Sequence, residues 1–112
     1  MSDWHLIGTL ETIPEGRLWP VEVAGRAWVI VREGESVRCF YDRCSHQDVK
    51  LSEFAQLDAA GGILCFAHGA RFCKLTGEPL CFPGKFALWQ AEIQQREGEL
   101  WLRVPQQLPE DY

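Results

Sequence analysis

Four residues of two types stand close together in the chain, and their side chains are those of metal ligands. Cys44 and His46 are separated by one residue, Cys65 and His68 by two, and eighteen residues lie between the two pairs. The chain has three histidines in all, so two of them stand beside cysteines. Thiolates and imidazoles both bind transition metals. The pattern indicates a set of four ligands, supplied by two separate segments.

Three interpretations of this set are open. Structural zinc is tetrahedral and accepts two Cys and two His. A [2Fe–2S] cluster can also take two His in place of two Cys on one iron. The third interpretation is two unrelated Cys–His neighbours, with the thiols buried as small apolar groups.

The spacing favours the iron–sulfur cluster. Zinc fingers tend to offer two cysteines first and two histidines later, whereas here each segment offers one of each. One iron would take a cysteine from each segment, and the other iron would take a histidine from each segment. Cys44 and Cys65 would hold the inner iron, and His46 and His68 would hold the outer iron.

Composition limits the classes of function. With 112 residues, a single domain is expected. The formal net charge of −5 argues against a nucleic-acid partner, because phosphate binding needs a basic surface. The first residues do not resemble a signal peptide, and no apolar run approaches the ~20 residues of a membrane helix. We therefore expect a soluble, cytoplasmic protein, monomeric in solution.

Short stretches with strand-like composition predict an all-β fold, an antiparallel sandwich or barrel. A helical period is present only over Leu51 to Ala60. Val37, Cys39 and Tyr41 should share one face of a strand, because side chains alternate along it. The two Cys–His pairs should lie in loops between strands. The predicted strands cover residues 3–8, 17–23, 26–33, 37–42, 70–75, 86–95 and 99–105.

The pattern Cys-x-His, eighteen residues, Cys-x-x-His resembles the Rieske [2Fe–2S] motif. The likeness continues in "LSE" at 51–53, in Gly69, in "RF" at 71–72 and in "TGEPL" at 76–80. Essentially the whole chain is similar to small Rieske-type ferredoxins, above all those that serve bacterial aromatic-ring-hydroxylating dioxygenases. Phe54 and Phe66 depart from that pattern, since Gly and Pro are usual there.

This resemblance implies a fold and a cofactor. The fold would be a Rieske-like (ISP domain) antiparallel β-sandwich or barrel with a small cluster-binding subdomain formed by two loops. A single domain would cover residues 1–105, with the subdomain at about 43–84 and a tail at 106–112. One [2Fe–2S] cluster per chain would be held by Cys44, His46, Cys65 and His68.

The resemblance also implies a carrier of single electrons. It would pass them from an NAD(P)H-dependent flavin reductase to the terminal oxygenase of a multicomponent aromatic dioxygenase, in aromatic hydrocarbon catabolism. The alternatives are a small Rieske-like subunit of another redox complex, such as assimilatory nitrite reductase, and a zinc-stabilised interaction module. An enzymatic role is not expected. Only His5 remains for a second iron site, and no G-x-G-x-x-G fingerprint is present.

The potential of such a centre should be low. High-potential Rieske proteins carry an extra disulfide, and a Ser and a Tyr that donate to sulfur. At these positions the chain has Val49, Ala67, Ala70 and Phe72. Losing two donors lowers the potential by on the order of 100–250 mV. We expect a value near the bottom of the range of roughly −150 to +300 mV.

The remaining residues have simpler interpretations. Leu51, Phe54, Phe66 and Pro83 could shield the inner side of the cluster or belong to the core. His5 is expected at the surface. Buried or half-buried free thiols are expected for Cys39, Cys73 and Cys81.

Overall fold

The computed structural model describes residues 4–43, 50–58, 61–66, 69–81 and 88–104. Within these ranges the chain forms ten β-strands, one helical turn and one 3-10 turn. In chain order the strands are β1 (Trp4–Thr9), β2 (Trp19–Val23), β3 (Arg26–Glu33), β4 (Ser36–Tyr41), β5 (Ala55–Leu57), β6 (Gly62–Cys65), β7 (Arg71–Cys73), β8 (Pro79–Cys81), β9 (Gln90–Arg96) and β10 (Glu99–Arg103). The helical turn α1 covers Leu51–Phe54, and the 3-10 turn covers Leu10–Thr12.

The strands form two antiparallel sheets. The large sheet has six strands in the order β1-β10-β9-β4-β3-β2, and β1 also approaches β2, so this sheet is nearly closed. The small sheet has four strands in the order β5-β6-β7-β8. The prediction of an all-β fold is confirmed.

Strand β3 separates two hydrophobic cores because its side chains alternate between its two faces. Trp28 and Ile30 point into a core within the large sheet, which we call the large-sheet core. Val29 and Val31 point into a core shared with the small sheet, which we call the junction core. All four side chains are buried, and a strand buried on both faces needs such a run of β-branched and aromatic residues.

The face predicted for β4 is also confirmed. Val37, Cys39 and Tyr41 all contribute to the large-sheet core. Phe40, on the opposite face, is fully buried in the junction core. Strand β4 therefore contacts both cores, and its last residue, Tyr41, is close in the chain to Cys44.

The helical prediction for Leu51 to Ala60 is right for its first turn and wrong for the three residues that follow, while residues 59–60 lie outside the described residues. Helix α1 ends at Phe54, and Ala55 begins β5, which pairs with β6. Pairing with β6 overrides a weak local helical preference. Strands β6 and β8 were not predicted either, since they have four and three residues. In the described part of the chain, no helix is long and apolar enough to cross a membrane.

Candidate metal centre

Of the four predicted ligands, one lies within the described residues. Cys65 is the last residue of β6 and is completely buried. It therefore belongs to a strand, and the prediction that it lies in a loop is wrong in this detail. Cys44, His46 and His68 lie outside the described residues. Within the described ranges, no three His, Cys, Asp or Glu side chains are grouped as a metal site.

The backbone on both sides of Cys65 is fixed by hydrogen bonds. The Cys65 amide donates to the carbonyl oxygen of Ala70 at 2.8 Å, and the Gly69 amide donates to the Cys65 carbonyl at 2.9 Å. Gly69 has a φ of +76°, a conformation that glycine adopts without strain. The turn between β6 and β7 is thus closed by main-chain bonds. The direction in which the Cys65 side chain leaves the backbone is therefore well defined.

The segment that carries Cys44 and His46 is bounded by two residues that contact each other. Asp42, just after β4, is a charged residue that is only 4% exposed. Its carboxylate accepts a bond from the Ser52 amide at 2.8 Å and one from the Ser52 hydroxyl at 2.6 Å. Asp42 was not among the residues predicted for the site. A charged residue directly after an apolar strand was the available signal, and it is weak.

The two segments that flank the predicted ligands lie side by side. The Phe66 amide donates to the Phe54 carbonyl at 2.7 Å, and Ala55 pairs with Cys65 in the ladder between β5 and β6. The chain that leaves the first ligand segment therefore runs directly along the second. This arrangement can bring both ligand pairs to one end of the small sheet.

The apolar residues near Cys65 divide into two groups. Leu51 is completely buried in the junction core, as one of its two interpretations required. Phe54 and Phe66 are instead 45% and 57% exposed, so core packing is wrong for them, and shielding of the cluster stays a prediction. Pro83 lies outside the described residues. The site thus has a buried apolar side and an exposed aromatic side.

Three free thiols are found in the described residues, and two of them, Cys39 and Cys73, were not predicted as metal ligands. Burial raises the pKa of Cys39, which is enclosed in the large-sheet core. The pKa of Cys73 is lowered, first by a hydrogen bond from the Thr76 side chain and then by the Leu75 amide. The prediction of buried or half-buried thiols is confirmed for both, while the side chain of Cys81 lies outside the described part of the structure. His5 is exposed, as expected.

The all-β fold and the predicted ligand types together indicate a small iron–sulfur domain. Residues 3–94 match the family of the Rieske [2Fe-2S] domain, and the chain belongs to this family. Its cofactor is therefore a [2Fe–2S] cluster. The chain's own residues fit this group. Each of two segments offers one thiol and one imidazole. Cys65 is buried, and hydrogen bonds fix its backbone.

Among curated relatives, the chain is similar to a 3-phenylpropionate/cinnamic acid dioxygenase ferredoxin subunit from Photorhabdus laumondii. The identity is 29% over 99 residues, which cover 88% of this chain and 92% of the relative. It is also 27% identical to the chloroplastic protein TIC 55 of Arabidopsis thaliana. This match covers 96% of the chain, which spans only 21% of that relative.

Two solved structures show the same fold. The ferredoxin of carbazole 1,9a-dioxygenase from Nocardioides aromaticivorans IC177 superposes with a TM-score of 0.85 and 25% identity, over 93% of this chain and all of that one. A complex of reduced oxygenase and oxidized ferredoxin in carbazole 1,9a-dioxygenase contains a chain with a TM-score of 0.83 and 26% identity. That match covers 97% of this chain and 100% of the other. Ferredoxin components of this kind carry electrons and are not themselves catalysts.

Proposed function

We propose that this protein is the ferredoxin of a multicomponent aromatic dioxygenase, and that it delivers single electrons to a terminal oxygenase. The observation that carries the proposal is the similarity to dioxygenase ferredoxins over most of this chain and most of theirs. It covers 92% of a curated ferredoxin subunit and 100% of a ferredoxin whose structure is known. The electron donor in this proposal is an NAD(P)H-dependent flavin reductase. The domain is residues 1–105, acting as a monomer in the cytoplasm.

The four ligands in this proposal are Cys44, His46, Cys65 and His68. Two thiolates hold the inner iron, and two neutral imidazoles hold the outer iron. The cluster supplies a one-electron couple when it is bound. Both thiols must lose their protons for binding, so cluster assembly releases protons and weakens at low pH. The buried position of Cys65 suits the inner iron, because burial excludes water from that side.

Exposed aromatic side chains beside Cys65 support a role in transient electron transfer. Phe66 directly follows this ligand, and the main-chain bond to Phe54 places the two exposed phenylalanines on adjacent segments. Aromatic residues are enriched in protein interfaces, and electron-transfer complexes use small contact areas. A small apolar face next to the cluster is compatible with brief contact with a reductase and an oxygenase.

We propose a potential near the bottom of the range of Rieske centres, roughly −150 to +300 mV. Ala70 and Phe72 are both completely buried, and neither has a hydroxyl group to donate to sulfur. Reduction adds one negative charge to the centre, so missing donors disfavour the reduced form. A reductase that draws on NAD(P)H can supply electrons to such a centre.

The test is spectroscopy of the purified holoprotein, followed by reconstitution. A brown protein that is EPR-silent when oxidised and gives a rhombic signal after dithionite reduction is the expected result. Cys65→Ser should abolish both colour and signal, whereas Cys73→Ser, at a half-buried thiol, should change neither. A colourless protein that contains zinc would refute the electron-transfer role. A cluster that reduces a nitrite reductase but no oxygenase would instead favour the alternative redox complex.

A further inference from the structure

Asp42 occupies an unusual position for a charged residue. It is 4% exposed, directly follows β4 and donates its own amide to the Ala27 carbonyl of β3 at 3.0 Å. A buried carboxylate is costly unless its oxygens accept hydrogen bonds. Here one oxygen accepts from the Ser52 amide and the other from the Ser52 hydroxyl. Asp42 is therefore attached to the large sheet by its backbone and to α1 by its side chain.

The position of α1 depends on contacts from outside the helix. It has four residues, and its N-terminal flanking residue, Lys50, makes no side-chain capping bond. A helix this short is not stable by itself, because few bonds form after nucleation. The carboxylate of Asp42 supplies the acceptor that a local cap would otherwise provide, and Leu51 is buried beside it.

The contact between Asp42 and Ser52, which are ten positions apart, closes a loop that contains two predicted ligands. Cys44 is two residues beyond Asp42 in the chain. Two residues can separate Cα atoms by at most about 7 Å. Closing a loop lowers its conformational entropy before a ligand binds, so less is lost on binding.

The same contact also relates the first ligand pair to the second. Ser52 lies in α1, α1 continues directly into β5, and β5 places Ala55 opposite Cys65. A continuous, rigid path thus leads from the large sheet through Asp42 and Ser52 to the described ligand. Without this contact, the end of β4 would lose its direct side-chain link to α1.

We propose that Asp42 is a positioning residue for the [2Fe–2S] cluster. Held by Ser52, its carboxylate fixes the two ends of the first ligand segment relative to each other and so slows release of the cluster. The inference rests on the proposed function, because it takes Cys44 and His46 as ligands.

Cluster release from the holoprotein tests this role. Loss of visible absorbance in excess iron chelator is compared for the wild type, Asp42→Asn, Ser52→Ala and Ser52→Thr. Glu22→Gln, which removes an exposed carboxylate from β2, is the matched control for charge. Release should be faster on the order of tenfold for Asp42→Asn and several-fold for Ser52→Ala, as expected for losing charge-assisted hydrogen bonds. Ser52→Thr, which keeps the hydroxyl, should release the cluster as slowly as the wild type does.

Two further readouts distinguish positioning of the segment from general stability. Trypsin can cleave after Arg43 and Lys50, which flank the first ligand segment. In Asp42→Asn and Ser52→Ala, cleavage there should accelerate relative to cleavage after Arg96, in the large sheet. The reduction potential should rise in Asp42→Asn, which removes a buried negative charge, and should move less in Ser52→Ala, which retains it.

The outcomes separate the two proposals. A wild-type protein without an iron–sulfur cluster would refute the proposed function. A wild-type protein with a cluster, whose Ser52→Ala variant releases it at the wild-type rate and is cleaved no faster, would overturn the role of Asp42. If Asp42→Asn does not fold, the release rate and cleavage rate of Ser52→Ala alone test the role of Asp42. Ser52→Ala should fold, because it removes one hydroxyl from a half-buried position.

Discussion

The two sheets of this protein differ in the length of their strands. Strands of the large sheet have five to eight residues, while those of the small sheet have three or four. A mean strand has about 5–6 residues. Each small strand therefore makes few ladder bonds, and an isolated sheet of this kind would be marginal. The small sheet, which carries Cys65, must be stabilised from outside.

Their cores differ in the same way. Residues of the large sheet and its adjoining turns supply the large-sheet core, which includes Trp28, Ile30 and Leu100. The junction core combines Ile63 and Phe72 of the small sheet with side chains of β3 and β4. The small sheet thus has no separate apolar core among the described residues. One region is a scaffold, and the other is a site assembled on it.

The largest effect should follow removal of the cluster, because the small sheet would lose its second support. We expect Cys65→Ser, or chelation of the wild type, to lower the amide hydrogen-exchange protection of β6 and β7 well below that of the large sheet. Protection of β3 and β10 should persist in the same sample. Exchange measured by mass spectrometry on peptides from both sheets checks this. Equal loss of protection in the two sheets would show that the large sheet is no independent scaffold.

The thiols provide a second contrast between the regions. Cys39 is enclosed in the large-sheet core and has a raised pKa, whereas hydrogen bonds from Thr76 and Leu75 lower the pKa of Cys73. Only the thiolate reacts with alkylating agents. At neutral pH Cys73 should react at least about 100-fold faster than Cys39. Lowering the pH from ~8.5 to ~7 should slow Cys73 less than an ordinary thiol.

Peptide mapping after iodoacetamide treatment of the holoprotein measures both rates. In denaturant the two cysteines should react alike, which provides the control. Similar rates in the folded protein would contradict the difference in environment between the two sheets.

Much of the scaffold could be predicted from the sequence. The strand prediction for residues 26–33 matches β3 because a run of Val, Ile and Trp strongly favours the extended conformation. The same logic failed for β5 and β6, whose few residues are determined by pairing with each other. Short strands carry little local signal, and their position depends on contacts that are distant in the sequence.

The site shows a similar division. Residue types and spacing were enough to indicate a set of four ligands, because few other patterns place thiols beside imidazoles. The same reasoning could not find Asp42, whose importance depends on its burial and on Ser52, ten residues further along the chain. It also failed for Phe54 and Phe66, since hydrophobicity alone does not show which apolar residues remain exposed.

The close approach of the two sheets at Gly77 should have an intermediate effect on stability. A Cβ atom there would lie 3.0 Å from both the Leu88 carbonyl and the Phe40 ring, and φ is +78°. Gly77→Ala should lower the free energy of unfolding by about 2–4 kcal/mol, combining strain and overpacking. The control is Gly25→Ala, with a φ of +76° and nothing within 4 Å.

Gly25→Ala carries the backbone strain alone and should cost about 1–2 kcal/mol. The difference between the two variants, measured by chemical denaturation, therefore isolates the packing of the small sheet on the large one. Equal costs would mean that the junction can open by a few tenths of an ångström without loss.

The smallest effect should come from one methyl group removed from each core. Ile30, in the large-sheet core, and Ile63, in the junction core, are both completely buried. Each Ile→Val change should cost about 0.5–1.5 kcal/mol. If residues 1–105 form one cooperative domain when the cluster is bound, both variants should lower the global unfolding free energy of the holoprotein to a similar extent.

The cluster-free protein should separate the two variants. There Ile63→Val should accelerate hydrogen exchange in β6 and β7, because the small sheet opens before the scaffold unfolds and Ile63 loses its packing in that opening. Ile30→Val should accelerate exchange in β3 and β10 only, since Ile30 stays packed while the small sheet is open. An Ile30→Val effect that reaches β6 and β7 in the cluster-free protein would show that the two sheets unfold together. Cluster loss would then leave the cooperativity of the domain unchanged.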